Sequence, residues 1–369
     1  MDSFSEKSQG RLGKWLVHII FVLIAAGIIG VNYKPAYNWD ILPYMALALN
    51  HTVEDKDSVH SRVYNIIKEG QQRGEVTNGT FGNFTKRIPY RVQCYQNADK
   101  FNSQLFYYRT KPLYNLLVYG LYTMGVPLIQ ATIIPSVVAC FFILLVLYAW
   151  MSLYTHRLMT ITLAILVALL PVFKELQNTS SPDALSAVFV LSAMYLFFAG
   201  KHRGWIFLCL AFATLARIDN FIFVTVMLYA ILKPTRNRLV FIASGSIVAA
   251  IIAILAIPWL AGNSPLWFTE FKFLESHVQY YFHVRNVFRA FFGDAYYWIW
   301  VALGLLLLTV KRKLVRQLVL IVTVSVVVRL VLFPSLQERF FAPYEFALIV
   351  ALLMAVKGKA FQPGITETP

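Results

Sequence analysis

The sequence predicts an all-α, polytopic membrane protein with about ten transmembrane helices, and three observations lead to this prediction. Hydrophobic residues make up 58% of the 369 residues and charged residues only 14%, whereas soluble globular proteins carry about 25% charged residues. The apolar residues come in repeated blocks of about 20 residues, the length that crosses a hydrocarbon core of about 30 Å. Basic residues are concentrated in the short connections on one side of these blocks.

The apolar blocks predict ten spans within a single transmembrane domain, 1–369, and put both chain ends on the same side. The first block is too long for the apolar region of a signal peptide and has no clear cleavage site after it, so we expect a retained anchor. The predicted spans are 15–31, 128–153, 158–173, 184–199, 204–216, 220–232, 239–261, 296–310, 315–333 and 341–356.

The basic residues predict the orientation. The connections THR, KHRG, KPTRNR and KRKLVRQ, together with both termini, hold 15 Lys and Arg residues but three acids. Connections of this kind stay in the cytoplasm, so we expect cytoplasmic termini, a short cytoplasmic tail at 357–369, and an outer loop at 32–127. The chain carries a net charge of +15. Because the basic residues are concentrated on one side of the apolar blocks, we attribute this charge to a membrane protein's orientation and not to binding of nucleic acid.

The stretch 204–232 allows two topologies. As one helix it places Arg217 and Asp219 in mid-bilayer and sends the later basic connections outside, against the charge bias. As two half-length helices of about 20 Å each, it forms a hairpin whose charged tip lines a cavity below the outer surface. We favour the hairpin and keep the single helix as the alternative.

The outer loop contains three apolar stretches that are too short to span a membrane. We expect residues 41–49, 58–72 and 112–125 to form amphipathic helices along the membrane surface. Residues 74–103, which are rich in Asn, Gly and Thr, are predicted to be loop and to contain Cys94.

Ionisable residues recur at the predicted outer ends of helices from distant parts of the chain. Such residues at membrane depth are costly and usually functional, so we expect one polar cavity on the outer face. The candidates are Asp40, Arg109, Lys111, Asp183, Arg217, Asp219, Arg329, Glu338 and Arg339.

Asp40 follows the first span in the stretch NYKPAYNWDILPY and has two interpretations. It fits the N-cap of helix 41–49, because Asp favours that position. It also fits a general base, because partial desolvation in an apolar rim raises the pKa of a carboxyl group. Asp183 likewise either caps the next span or faces the cavity.

The basic candidates suit a phosphate. Lys111 precedes Pro112, a residue that fits the first position of a helix, and therefore lies near free backbone N–H groups. Contact of Lys111 and Arg109 with lipid head groups is the alternative. Arg329 lies within a predicted span and Arg339 just before another, where an arginine requires an anion and recognises phosphate in bidentate fashion.

Five elements, in this order, resemble the GT-C class of membrane glycosyltransferases. They are NWD, the helix that begins KPLYNLLVYGLYTMG, SSPDALS, LARIDN and ERFFAPYE. The second is similar to the "[HK]PPL" helix of the protein O-mannosyltransferases and the lipid A aminoarabinose transferases. The chain departs from those relatives where Ile41, rather than a second acid, follows Asp40, and where Leu113 replaces the second proline.

The resemblance implies transfer of a sugar from a polyprenyl-phosphate donor to a hydroxyl group of a glycan, lipid or protein acceptor, with inversion. Asp40 is then the general base. The phosphate would be held by Lys111, Arg109, Arg329, Arg339 and Arg217, and the acceptor cavity would be lined by Asp183, Asp219 and Glu338. The membrane implied is the bacterial cytoplasmic membrane, or the endoplasmic reticulum membrane in a eukaryote.

Two other functions remain as alternatives. A polymerase or ligase of lipid-linked glycans usually presents its arginines from large loops between late spans, whereas the long loop here is the first. A transporter or flippase predicts two similar halves with paired broken helices, and only one broken hairpin is predicted here.

A metal is possible but not indicated, and no cofactor is predicted. Asp55 and Asp57 form a DxD pattern, which holds a metal and a nucleotide diphosphate in soluble glycosyltransferases. The favoured interpretation is that these acids, with Glu54, complement the N-terminal dipole of helix 58–72. The three cysteines show no zinc spacing.

Overall fold

The computed structural model describes residues 2–53, 55–232, 285, 289, 291–293, 295–332 and 337–356. These residues form helices joined by turns, with no strand among them, which confirms the all-α class. The predicted span 239–261, the tail 357–369 and Glu54 lie outside the described residues.

Sixteen α-helices and two short 3-10 turns make up this part of the chain. The helices are α1 (Asp2–Asn32), α2 (Ile41–Leu49), α3 (Lys56–Gln72), α4 (Asn78–Thr85), α5 (Pro89–Gln96), α6 (Ala98–Arg109), α7 (Pro112–Thr123), α8 (Leu128–Met151), α9 (Arg157–Leu169), α10 (Pro171–Asn178), α11 (Asp183–Phe198), α12 (Arg203–Ala216), α13 (Phe221–Leu232), α14 (Ala295–Leu308), α15 (Lys313–Leu332) and α16 (Ala342–Val356).

Two helices are long and apolar enough to cross a membrane, namely the Trp15–Asn32 part of α1 and the whole of α8. A third crossing results if α9 and α10 are counted as one bent span. The helices α11, α12 and α16 are apolar but shorter. Length and composition in the described residues thus give two or three candidate spans, and the arrangement of ten spans remains a prediction.

The predicted span 158–173 is wrong as one straight helix. The helix α9 ends at Leu169, and α10 begins at Pro171 with a bend of 67° between the two axes. Proline has no backbone N–H and its ring clashes with the preceding turn, so it starts a helix more readily than it continues one. Here it directs α10 against α1.

The outer loop is more helical and more buried than predicted. All nine residues of α2 are buried, so the surface location predicted for 41–49 is wrong; its short apolar sequence belongs to a core helix. The loop predicted for 74–103 is also wrong, because α4, α5 and α6 occupy it and Cys94 is buried in α5. By contrast α3 buries Val59, Val63 and Ile67 on one face as predicted.

The residues that suggested a loop act as helix caps. The side chain of Thr77 accepts a hydrogen bond from Thr80 N (3.1 Å) and so caps α4. The side chain of Asn97 accepts one from Lys100 N (2.9 Å) and caps α6, while Pro89 begins α5. Polar caps of this kind satisfy backbone N–H groups that a short helix leaves free.

The stretch 204–232 is interrupted where the sequence predicts. The helix α12 ends at Ala216, Arg217 has an extended backbone, and a 3-10 turn at Ile218–Asn220 leads into α13. The two helices pack mainly on different neighbours, α12 on α11 and α13 on α15. The break excludes one uninterrupted helix, and the choice between a hairpin and a single broken span remains a prediction.

The helix α10 fixes the segment that connects α1 to α2. The backbone N–H of Lys34 donates to Asn178 Oδ1 (2.7 Å), and that of Ala36 donates to Asn178 O (2.8 Å). Asn178 Nδ2 donates to Asn32 O (3.0 Å). These bonds hold the chain directly before Asp40 and so determine where its carboxylate lies.

Candidate functional site

Six of the residues singled out in the sequence form one chain of alternating carboxylates and guanidinium groups. Each member makes an ion pair with the next, from the start of α2 to the end of α15. The order is Asp40, Arg339, Asp183, Arg217, Asp219 and Arg329. We refer to this set as the ion chain; its three negative and three positive charges balance.

Asp40 is the open end of the ion chain. Its side chain is 22% exposed, against 13% or less for the other five members. Tyr108 donates to its Oδ1 (2.9 Å), and Asn38 and Arg339 donate to its Oδ2 (2.5 and 3.2 Å). Asp40 occupies the N-cap position of α2 but makes no capping hydrogen bond, so the capping interpretation is wrong.

Arg339 joins Asp40 to the buried part of the ion chain. Its Nε lies 3.0 Å from Asp183 Oδ2, and its Nη2 lies 3.2 Å from Asp40 Oδ2. The side chain of Gln337 accepts two further hydrogen bonds from it (2.9 and 3.2 Å). The 3-10 turn Glu338–Phe340 ahead of α16 carries this guanidinium group.

Asp183 is a buried partner of two arginines and not a cap. Its side chain is 2% exposed and pairs with Arg217 and Arg339. It is the first residue of α11 and makes no capping hydrogen bond, whereas Ser181 Oγ donates to its Oδ2 (2.8 Å). The loop before it is fixed to α8, because Ser136 Oγ donates to Ser181 O (2.9 Å).

Asp219 ties two helices together at the break after α12. Arg217 donates two hydrogen bonds to its carboxylate (3.0 and 2.9 Å), and Arg329 of α15 pairs with the same group. The positive charges of Arg217 and Arg329 compensate the burial of this carboxylate and favour its ionised form.

The aromatic ring of Phe340 is a site residue that the sequence analysis did not identify. The guanidinium carbons of Arg217, Arg329 and Arg339 lie 4.3, 5.0 and 5.5 Å from its centroid. Cations at these distances are attracted to the face of an aromatic ring, so Phe340 packs the three arginines against one another.

Tyrosines surround Asp40 on its other side and were also not identified. Tyr108 donates to Asp40 and packs edge-on against Tyr44 (5.1 Å between centroids), which in turn packs against Tyr114 (4.6 Å). Burial, followed by the charge of Asp40, raises the pKa of both Tyr44 and Tyr114, so both hydroxyls stay protonated.

Lys111 and Arg109 are not members of the ion chain. Lys111 is the residue before α7 and Pro112 the first in it, as predicted; its Nζ donates to Tyr107 O (2.6 Å) and lies 5.0 Å from the Tyr108 centroid. Arg109 is exposed at the end of α6 and makes no ion pair with any described residue. Glu338 is half-buried in the turn beside Arg339.

The DxD acids lie at the N-terminus of α3. Asp55 accepts a hydrogen bond from Ser58 N (2.8 Å) and caps α3, which lowers its pKa, and Asp57 lies in the first turn. The described residues contain no group of three or more metal-ligating side chains. The favoured interpretation, that these acids complement the helix N-terminus, is the one the structure shows.

A groove of about 340 Å³ lies elsewhere, between α1, α8 and α11. Its lining includes His18 and Tyr148, which hydrogen-bond each other (3.0 Å), but no member of the ion chain. The groove is therefore separate from the ion chain.

The arrangement presents one accessible carboxylate beside buried positive charge. A carboxylate with a tyrosine on one oxygen and an arginine on the other can accept a proton, while the arginine is placed to bind an anion. No protein-family model, curated protein or solved structure matches this chain.

Proposed function

We propose that this protein is a glycosyltransferase of the GT-C kind that transfers a sugar from a polyprenyl-phosphate donor to a hydroxyl acceptor on the outer face of a membrane. Asp40 is the general base and inversion follows from a single displacement. The lipid part of the donor stays in the bilayer, and its head group meets the acceptor at the open end of the ion chain.

The exposure of Asp40 is the observation that carries this proposal. The other five members of the ion chain pair with one another in the interior, as in a structural network, and leave one positive charge that Asp40 balances. Asp40 alone combines partial access with three hydrogen-bond donors that fix its orientation. A fixed, partly desolvated carboxylate is the usual form of a general base.

The proposed reaction is a single displacement at the anomeric carbon of the donor sugar. The acceptor hydroxyl gives its proton to Asp40 while its oxygen forms a bond to the anomeric carbon. The bond from that carbon to the phosphate oxygen breaks, and the polyprenyl phosphate leaves with the electron pair. Arg339 stabilises the negative charge that grows on the leaving phosphate.

Arg339 and Lys111 are the best supported phosphate ligands. Arg339 reaches Asp40 directly, and Lys111 lies against Tyr108, the partner of Asp40. Arg217 and Arg329 pair with the buried Asp183 and Asp219 and not with Asp40, so we assign them to holding the site together. Arg109, exposed on α6, is placed to meet the donor head group from outside.

The proposal includes the ten-span arrangement with cytoplasmic termini, in a bacterial cytoplasmic membrane or in the endoplasmic reticulum of a eukaryote. Short helices such as α11 and α12 then cross as a bundle whose charged residues face the interior. The positive charge of the connections supports this orientation.

Donor turnover tests the function. Purified protein in proteoliposomes is given a set of radiolabelled polyprenyl-phosphate sugars, and release of free polyprenyl phosphate is followed with and without a glycan acceptor. We expect acceptor-dependent release that protein-free liposomes lack. Movement of intact donor across the bilayer without release would instead identify a flippase.

A further inference from the structure

Arg91 is a half-buried cation next to the proposed base. Its guanidinium carbon lies 5.1 Å from the centroid of the Trp39 ring, and Trp39 directly precedes Asp40. Burial lowers the pKa of Arg91, while the neighbouring charge of Asp40 acts in the opposite direction. Among the described residues, none accepts a hydrogen bond from Arg91 or pairs with it.

The ring beneath Arg91 is held rigidly. Trp39 Nε1 donates to Gln104 Oε1 (2.9 Å), and the ring packs edge-on against Phe84 and Tyr90 (6.0 and 6.5 Å). Tyr90 is 42% exposed. A guanidinium group stacked on a fixed indole keeps its edge N–H groups in one plane, the geometry that binds a carboxylate or a phosphate.

The surrounding surface is basic as well. The segment 78–109, which forms α4, α5 and α6, contains five Lys and Arg residues and one acid. Under the proposed topology this segment lies outside. The tendency of basic connections to stay in the cytoplasm therefore does not explain its positive charge. A basic surface beside an active carboxylate attracts negatively charged ligands.

We propose that Arg91, stacked on Trp39 beside Asp40, binds a carboxylate or phosphate of the acceptor, so that the acceptor is an anionic glycan. This inference rests on the proposed transferase function, because it assigns the bound anion to the acceptor. The anion holds the glycan at Arg91, and a neighbouring hydroxyl of that glycan then lies against Asp40. Uronates and sugar phosphates share this chemistry.

Binding of simple glycosides tests the site without requiring transfer. The purified protein is titrated with methyl glucuronide, glucose 6-phosphate and methyl glucoside, and binding is followed by thermal stabilisation. We expect the anionic sugars to bind and the neutral one not to. Arg91→Gln should weaken binding of the anionic sugars about ten- to a hundredfold, the loss expected for one charge-assisted hydrogen bond. The control Lys68→Gln, exposed on α3 outside this basic segment, should leave that binding unchanged.

Three results would overturn the inference. Equal binding of methyl glucoside would make the anion irrelevant, and anion binding that survives Arg91→Gln would place the site elsewhere. Stabilisation that depends on Arg91 and appears with phosphatidylglycerol nanodiscs, but with no soluble sugar, would assign Arg91 to lipid head groups. If the anions bind as expected but no sugar is transferred, the glycan site stands and the transferase proposal fails.

Discussion

Asp40 and Arg339 are 3.2 Å apart, so a phosphate that binds Arg339 competes with Asp40 for the same guanidinium group. Binding of the donor would then release Asp40 from its ion pair and leave its carboxylate free to accept a hydrogen bond from the acceptor hydroxyl. Arg339 keeps Asp183 as its second partner (3.0 Å) throughout, which holds it in place during this exchange.

This competition makes a prediction for product binding. In Asp40→Asn, Arg339 loses a charged competitor, and we expect a short-chain prenyl phosphate to bind several-fold more tightly than to the native protein. In Arg339→Gln, binding should weaken by about one to two orders of magnitude. Equilibrium binding in detergent measures both. Weaker binding to Asp40→Asn would show that Asp40 and the phosphate do not compete.

The buried end of the ion chain predicts a stability effect. Asp219→Ala leaves Arg329, which is 6% exposed, without its carboxylate, and a broken buried pair costs about 3–5 kcal/mol. Thermal unfolding should show a large loss, and Asp219→Leu combined with Arg329→Met should recover most of it. The exposed cap variant Asp55→Asn is the control. A melting temperature of Asp219→Ala equal to that of the control would exclude a stabilising role.

The sequence identified the members of the ion chain because charge at membrane depth is rare and visible. It could not identify their pairing, since Asp40 and Arg339 are 299 residues apart and only the packing of helices joins them. Phe340 and Tyr108 were missed for another reason. Aromatic residues make up 15% of the chain, so the sequence does not distinguish these two from the others. Their role is visible only in the structure, where guanidinium and carboxylate groups contact them.

At the scale of the elements, the connection between α1 and α2 depends on α10. Asn178→Ala removes two hydrogen bonds to that connection, from Lys34 N and to Asn32 O, at a cost of about 1–3 kcal/mol. We expect transfer to slow about tenfold because Asp40 loses its fixed position. Turnover at saturating donor measures this, with the exposed Asn50→Ala as control. Equal activity of the two variants would mean that α10 does not position the base.

The sequence predicted both ends of α3 and α8 to within two residues, and the end of α1 but not its start at Asp2. The prediction of a loop between residues 74 and 103 was wrong, because Thr77, Pro89 and Asn97 are equally typical of loops and of helix starts. The burial of α2 was also missed. A run of nine apolar residues has the same composition in a core as at a membrane surface, and only contacts with α7 and α8 distinguish the two.

At the scale of the whole molecule, the orientation is open to direct labelling. In a Cys209→Ser background, where the remaining Cys94 and Cys140 are buried, single cysteines are placed at Asn78, Lys201 and Lys313. An impermeant thiol reagent should label position 78 from outside and positions 201 and 313 only after permeabilisation, as the distribution of basic residues requires. Labelling of position 313 from outside would contradict the hairpin at 204–232.

Turnover by Asp40→Asn tests the central claim most directly. Asn retains the size of Asp, and Arg339 keeps Asp183 and Gln337, so the variant should fold and melt near the native temperature. At saturating donor and acceptor, sugar transfer should fall by the ~10²–10⁴-fold that a lost general base costs, while Asp55→Asn should retain full activity. Transfer by a folded Asp40→Asn variant within a few-fold of the native rate would contradict the assignment of Asp40 as the base.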